Sequence, residues 1–142
     1  MIELKGLVPG LSAVVQKKIG EEDTASQYGV GLLGKLLSPP SYVDMLIRAA
    51  AEAVQPLLPE GFVTVTKTME FTSEAPTALG MTVTVKATLE TVDGNRLVFK
   101  IDAWDEIGVI GHGRNERYVV NESKLWENAK ERMGIIATDD LK

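Results

Sequence analysis

The sequence predicts an α+β protein in which one antiparallel sheet wraps around a long, buried central helix. Three observations predict this class: a helical stretch near the middle that is apolar on most sides, strand-like runs after it, and a second helical stretch near the end. With 142 residues, 44% of them hydrophobic, the chain is long enough to bury a sizeable core. We therefore expect a single domain over residues 1–142.

The central helix is expected at residues 41 to 58, "SYVDMLIRAAAEAVQPLL". Pro39 and Pro40 stand directly before it and suit a helix entry. Apolar residues occupy most of the circumference, which is typical of a largely buried helix. The polar residues fall on one narrow stripe: Asp44, Arg48, Glu52 and Gln55.

Strand-like runs follow the helix. The stretches "FVTVTKTMEF" and "MTVTVKATLETV" alternate apolar and polar residues with period two, which predicts a sheet with one packed face. Asp93 and Gly94 predict a hairpin turn into "LVFKIDAW", and "DEIG" predicts another into "VIGHGRNERYVV". This order indicates an antiparallel meander.

The last predicted element is a helix over "ESKLWENAKERM". Asn121 is its expected N-cap, and Leu125, Ala129 and Met133 recur at helical spacing. Gly134 is the expected stop.

Composition narrows the range of partners. Twenty acidic residues against fifteen basic ones give a net charge of −5, which argues against a broad nucleic-acid surface. Without cysteine, and with one histidine, a zinc cluster is not expected, and no cofactor or metal is predicted. No apolar run approaches the roughly 18 residues of a membrane span, and the first residues lack the apolar core of a signal peptide. A cytoplasmic protein is the expectation.

Four local features admit a functional and a structural interpretation. The stretch "GVGLLG" at 29–34 matches a dinucleotide-binding pattern, but a polar segment precedes it and two prolines soon follow, so a loop is predicted. His112 is expected at a solvent-facing strand end. Asp44 is a candidate base, although it can instead pair with Arg48 one turn later. Ser38 can be a turn or cap residue.

Several stretches together resemble the hotdog-fold thioesterase superfamily, in particular its fluoroacetyl-CoA thioesterase-like branch. The resemblance covers residues 23 to 133 and is carried by "DTASQYGVG", "SPPSYVDML", "APTALGMTVTV", "VDGNRLVFKIDAWDEIGVIGHG" and "NERYVV". It implies a hotdog fold and a homodimer whose two sheets join edge to edge. It also implies an acyl-CoA thioester as the small-molecule ligand.

The resemblance also places the family's site on this chain. The threonine at the helix entry falls on Ser38, the histidine after the first long strand falls on Ser73, and the helix glutamate falls on Leu46 or Ile47. The catalytic candidates are therefore Ser38 and Ser73, with Asp44 as a replacement base. The substrate-binding candidates are Gly31, Leu46, Ile47, Thr66, Asn115 and Arg117.

Two functions stay open at this point. One is a thioesterase with a rearranged site, and the other is a non-catalytic protein that binds acyl-CoA or a small carboxylate in the same cavity. Serine at 73 can donate a hydrogen bond but does not accept a proton at neutral pH, as thioester hydrolysis requires. Glu74 is expected to face away from Ser73 if the strand is still regular there.

Overall fold

The computed structural model describes residues 4–28 and 31–140, and within them it has two long helices and five strands. Four short 3₁₀ helices occupy connections. The elements are β1 (Ser12–Lys18), α1 (Pro39–Val54), β2 (Phe62–Phe71), β3 (Thr82–Asp93), β4 (Arg96–Trp104), β5 (Val109–Asn121) and α2 (Glu122–Asp140).

The five strands form one antiparallel sheet in the order β1-β3-β4-β5-β2. The predicted meander is confirmed for β3, β4 and β5, whereas β2 pairs with β5 and not with the next strand along the chain, β3. The turn between β3 and β4 lies at Gly94 and Asn95, with Gly94 at φ +61°. The sequence did not predict β1, which pairs with β3. Register shifts in the β2–β5, β3–β4 and β4–β5 pairs bend the sheet, since a bulge increases local twist.

The central helix differs slightly from its predicted span of 41 to 58. It begins two residues earlier because Ser38 caps it: the Ser38 Oγ accepts a hydrogen bond from the Ser41 backbone N–H at 3.3 Å, and Pro39 and Pro40 fill the first turn. It ends at Val54 because Pro56 has no N–H to continue the ladder, and a 3₁₀ turn follows at Gln55–Leu57.

The core lies between α1 and the sheet. Small alanines on α1 let the helix approach the strands closely, and the alternating apolar residues of β3 meet it, as the period-two pattern predicted. On β2 the prediction is only partly confirmed, since Val63 and Val65 are half-buried outside this core and Thr64 between them is buried. Members of this core that are fully buried include Leu46, Ala49, Ala50, Val54, Val83, Val85, Leu97, Phe99 and Ile101.

The C-terminal helix begins where the sequence predicts, but it does not end where the sequence predicts. Asn121 caps α2, because its Oδ1 accepts a hydrogen bond from the Lys124 N–H at 3.0 Å. Gly134 does not stop the helix, which continues to Asp140. Gly134 lacks the positive φ of a C-terminal glycine cap, and one glycine inside a helix costs only about 1 kcal/mol relative to alanine.

At Gly111, β5 comes into close contact with Tyr42, near the entry of α1, and with residue 72. A Cβ atom there would collide with the carbonyl oxygen of Thr72 and with the hydroxyl of Tyr42. The first of these is backbone, so a larger residue cannot be accommodated by a side-chain rotation alone.

We predict that Gly111→Ala destabilises the fold by about 2 kcal/mol or more, because the new methyl group forces α1 and residue 72 apart. Gly134→Ala is the matched control, since nothing lies within 4 Å of its added Cβ and alanine favours a helix. Urea denaturation of both variants measures the two effects. Equal free energies of unfolding for the two variants would contradict the close-approach argument.

Candidate functional site

A cleft of about 290 Å³ opens where the start of α1 meets the loop after β2. Most of its wall is apolar, including Leu33, Leu36, Leu37 and Ile110. Its polar side chains belong to Ser38, Tyr42, Ser73, Glu74 and Thr77. An apolar cavity with a few convergent polar groups is the usual form of a small-molecule site.

The structure places both candidate serines on the wall of this cleft. Ser38 is fully buried, and its Oγ is occupied as an acceptor by the N-cap bond, so its hydroxyl hydrogen is free to point elsewhere. The N-terminus of α1 adds a partial positive charge beside it. Ser73 lies opposite, in the loop after β2.

Tyr42 is a cleft residue that sequence reasoning missed. It lies one helical turn after Ser38, its hydroxyl donates to the Thr72 carbonyl oxygen at 3.0 Å, and its ring meets Phe71 edge-on at 5.9 Å. Burial, with a smaller contribution from the charge of Glu74, raises the pKa of Tyr42 to about 12. Tyr42 is therefore a neutral hydrogen-bonding group at physiological pH.

Glu74 also lines the cleft, which differs from the expectation that it faces away from Ser73. That expectation required a regular strand, whereas β2 ends at Phe71. Thr72 and Glu74 still donate backbone hydrogen bonds to β5, to the carbonyl oxygens of His112 and Ile110. This pairing anchors the loop on which Ser73 and Glu74 sit.

The Glu74 carboxylate is half-exposed and belongs to a small polar group. Its Oε2 accepts a hydrogen bond from the Thr72 hydroxyl at 2.7 Å and lies 3.7 Å from the His112 Nε2. The other ring nitrogen of His112, Nδ1, is 2.8 Å from the Asp102 Oδ1. His112 is exposed, as predicted, and it has a carboxylate partner that the sequence pattern did not reveal.

Asp44 lies outside the cleft. Its side chain is exposed on the opposite side of α1 and forms an ion pair with Arg48 at 2.8 Å, in the i,i+4 arrangement that the sequence offered as an alternative. It borders a separate polar groove together with Lys17, Asp23 and Ser41. This position does not favour Asp44 as a base for chemistry in the cleft.

The two apolar helix candidates are core residues. Leu46 is fully buried, and its Cδ1 lies close to Gly113 of β5. Ile47 is half-buried on the neighbouring face. Neither is among the residues that line the cleft.

Thr66, Asn115 and Arg117 form a hydrogen-bonded cluster between β2 and β5, in which Asn115 and Arg117 are buried and Thr66 is exposed. The Arg117 guanidinium donates to the Thr64 hydroxyl and carbonyl at 2.8 and 2.7 Å, and to the Thr66 hydroxyl at 2.7 Å. It also donates to the Asn115 Oδ1 at 3.2 Å. No carboxylate of the described residues pairs with Arg117, and its burial lowers the pKa of the guanidinium. The cluster fixes β2 on β5 and does not border the cleft.

Gly31 begins the short 3₁₀ helix Gly31–Leu33, whose Leu33 borders the cleft. The preceding part of the glycine motif, residues 29–30, lies outside the described residues. The next long helix starts only at Pro39, so the strand and helix that a dinucleotide site requires do not flank this motif.

Over residues 4–28 and 31–140, no group of three or more histidine or acidic side chains is arranged to hold a metal ion. Within the same ranges, no helix combines the length and the apolar character needed to cross a bilayer.

The raised pKa of Tyr42 leads to a prediction about alkaline stability. The folded protein holds the hydroxyl proton up to pH about 12, whereas the unfolded chain releases it near pH 10. The protonated hydroxyl therefore makes its full contribution to the free energy of unfolding below pH 10. This contribution, up to about 3 kcal/mol, is lost as the pH rises from 10 to 12. Tyr42→Phe has no hydroxyl group to titrate, so this variant cannot show the loss of stability.

Urea denaturation of the wild type and Tyr42→Phe between pH 8 and pH 12 measures the effect. The wild type is expected to be the more stable at pH 8, by about 1 kcal/mol for the hydrogen bond to Thr72. This difference should shrink above pH 10 and change sign toward pH 12, where Tyr42→Phe becomes the more stable protein because the loss exceeds the contribution of the hydrogen bond. Two parallel stability curves would contradict the burial of a protonated Tyr42 hydroxyl.

A curled antiparallel sheet around a central helix, with a cleft at the helix entry, is the hotdog architecture, and solved structures confirm it. A hot-dog-like protein from Thermanaerovibrio acidaminovorans superposes with a TM-score of 0.80 at 32% identity, over 87% of this chain and 91% of that one. A hypothetical protein of the thioesterase superfamily from Thermus thermophilus gives 0.80 at 27% identity, over 92% and 98%. The fold thus places the chain in the thioesterase superfamily.

The family within this superfamily is also shown. Residues 19–123 match the model of the fluoroacetyl-CoA-specific thioesterase family, FlK, and this chain belongs to that family. The fluoroacetyl-CoA thioesterase of Streptantibioticus cattleyicolor is 37% identical over 90 residues, which span 63% of this chain and 63% of that relative. A FlK variant in complex with acetyl-CoA gives a TM-score of 0.81 at 26% identity, over 90% and 98%.

Proposed function

We propose that this protein hydrolyses acyl-CoA thioesters in the cleft at the start of α1, with an active site that differs from that of its family. The observation that supports this proposal is the convergence of Ser38, Ser73 and Tyr42 on one mostly apolar cavity. Its volume of about 290 Å³ lies at the small end of ligand sites, which suits a short acyl group. Membership of the thioesterase family supports the same reaction class.

The hydroxyl groups suit the stabilisation of a thioester. As a nucleophile attacks the carbonyl carbon, negative charge develops on the carbonyl oxygen, and fixed donors next to that oxygen lower the barrier. The Ser38 and Ser73 hydroxyls are available as donors, and the helix N-terminus beside Ser38 favours negative charge. Tyr42 keeps its hydrogen bond to Thr72 and shapes the wall.

We predict that Ser38→Ala lowers kcat/KM for acetyl-CoA by about 10- to 100-fold, because one donor to the developing oxyanion is lost. Ser38→Thr retains a hydroxyl and an N-cap and should stay within a few-fold of the wild type. Release of CoA can be followed with a thiol reagent without background, since the chain contains no cysteine.

Asp44→Asn is the control for this series, because Asp44 is exposed outside the cleft. It should leave CoA release unchanged. Equal rates for the wild type and Ser38→Ala, in protein shown to be folded by circular dichroism, would remove Ser38 from the mechanism.

A second candidate function is non-catalytic binding of an acyl-CoA or a small carboxylate in the same cleft. The observation that favours it is the apolar character of Leu46 and Ile47, the positions where the resemblance places the family's glutamate. If calorimetry detects binding of acetyl-CoA and no CoA is released, the protein is a binding protein and not a hydrolase.

We also propose that the protein is a homodimer in which the two chains pair through β2. This strand has ten residues without a proline, and within the described residues its outer edge has no partner strand. A long open edge is a template for pairing with another strand. Phe71, at the end of β2, is 43% exposed in the single chain and would be covered by such a partner.

Analytical ultracentrifugation tests this assembly. We expect a mass of twice the 15.4 kDa of one chain at micromolar concentration. A mass that stays at one chain across this concentration range would contradict the proposed dimer.

A further inference from the structure

We infer that Glu74 is the general base that activates water for thioester hydrolysis in the cleft. This inference rests on the proposed function, and it assigns the proton-accepting role that neither the helix position 46 nor the loop position 73 can fill. Leu46 is apolar and Ser73 carries a hydroxyl group, and neither kind of side chain accepts a proton at neutral pH.

The composition of the cleft wall leads to Glu74 by elimination. Among the described residues that line the cleft, Glu74 is the one with a carboxylate, and no histidine or lysine lies there. Tyr42 and the serines are neutral donors. Thr77 is engaged elsewhere, because its hydroxyl donates to the Asp105 Oδ2 at 2.8 Å.

The surroundings of Glu74 hold its carboxylate at the mouth of the cleft. The backbone N–H of Glu74 donates to the Ile110 carbonyl oxygen at 2.7 Å, which pins the residue to β5. The Thr72 hydroxyl occupies one site on Oε2, and His112, itself held by Asp102, lies 3.7 Å from the same oxygen. The remaining carboxylate oxygen makes none of these contacts, and the half-exposed side chain has access to water.

The charge of Glu74 reaches the interior of the site. Its carboxylate contributes to the raised pKa of the buried Tyr42 hydroxyl, which is itself part of the cleft wall. The carboxylate therefore lies close enough to the cavity to act electrostatically on groups within it.

The reaction can be written with all atoms accounted for. Glu74 takes one proton from a water molecule as the water oxygen bonds to the thioester carbonyl carbon. The tetrahedral intermediate then collapses with cleavage of the C–S bond, and the CoA sulfur takes the proton from the Glu74 carboxyl group. The new carboxylic acid leaves as a carboxylate and loses its proton to solvent.

The experiment compares Glu74→Gln with Glu70→Gln in the acetyl-CoA release assay. The glutamine at 74 keeps the shape and an acceptor for Thr72 but cannot take a proton, so kcat should fall by about 10²- to 10⁴-fold while KM changes little. Glu70 is an exposed glutamate of β2 that does not line the cleft, and its variant should match the wild type. Glu74→Asp keeps a carboxylate and should retain measurable release.

The outcomes separate the inference from the proposed function. If the wild type releases CoA and Glu74→Gln does so equally well, Glu74 is not the base, and the thioesterase proposal stands. If the wild type releases no CoA from acetyl-CoA or butyryl-CoA, the hydrolase proposal fails and the inference fails with it. Should Glu74→Gln not fold, Glu74→Asp decides: release far above that of a buffer blank supports the inference, and none overturns it.

Discussion

The approach of Tyr42 to β5 is the contact on which the cleft depends. Gly111 lacks a side chain, so the Tyr42 hydroxyl can reach the Thr72 carbonyl oxygen and hold the loop after β2 against the entry of α1. The same loop is pinned on its other side by backbone hydrogen bonds from residues 72 and 74 to β5. Two walls of one cavity are thereby held at a fixed separation, and Ser38 and Ser73 come to face the same space.

The polar groups of the site lie on the helix entry and the loop, and the body of α1 contributes only packing. Leu46 fills the space next to Gly113, which gives the helix a continuous apolar face. Among the described residues that line the cleft, the groups suited to chemistry are therefore hydroxyls and one carboxylate, that of Glu74. A helix whose buried positions are apolar avoids the desolvation cost of a buried carboxylate, so this arrangement favours stability of the core.

Arg117 is a buried charged residue that does not line the cleft, and hydrogen bonds make its burial possible. Its guanidinium has four hydrogen bonds to neutral oxygens of Thr64, Thr66 and Asn115, and these partly replace the water lost on burial. The bonds span β2 and β5 at the bulge between Thr66 and Thr68, where the regular ladder is interrupted. The cluster therefore strengthens the attachment of the edge strand that carries the cleft loop.

The sequence by itself determined the fold class, the β3–β4–β5 meander and the core of α1, because the period of apolar residues is a local property that burial enforces. It did not determine that β2 pairs with β5 rather than β3, because strand pairing depends on contacts between distant residues. It did not predict β1, whose residues 12–18 form a short edge strand that is stable only when paired with β3. It determined the residue types available for chemistry, and it named Ser38 and Ser73 through family motifs. Only the tertiary structure decided that Tyr42 and Glu74 belong to the cleft and that Asp44 and Arg117 do not, because contacts between α1, the loop and β5 join residues about 30 to 70 positions apart, and no local pattern records which of them meet.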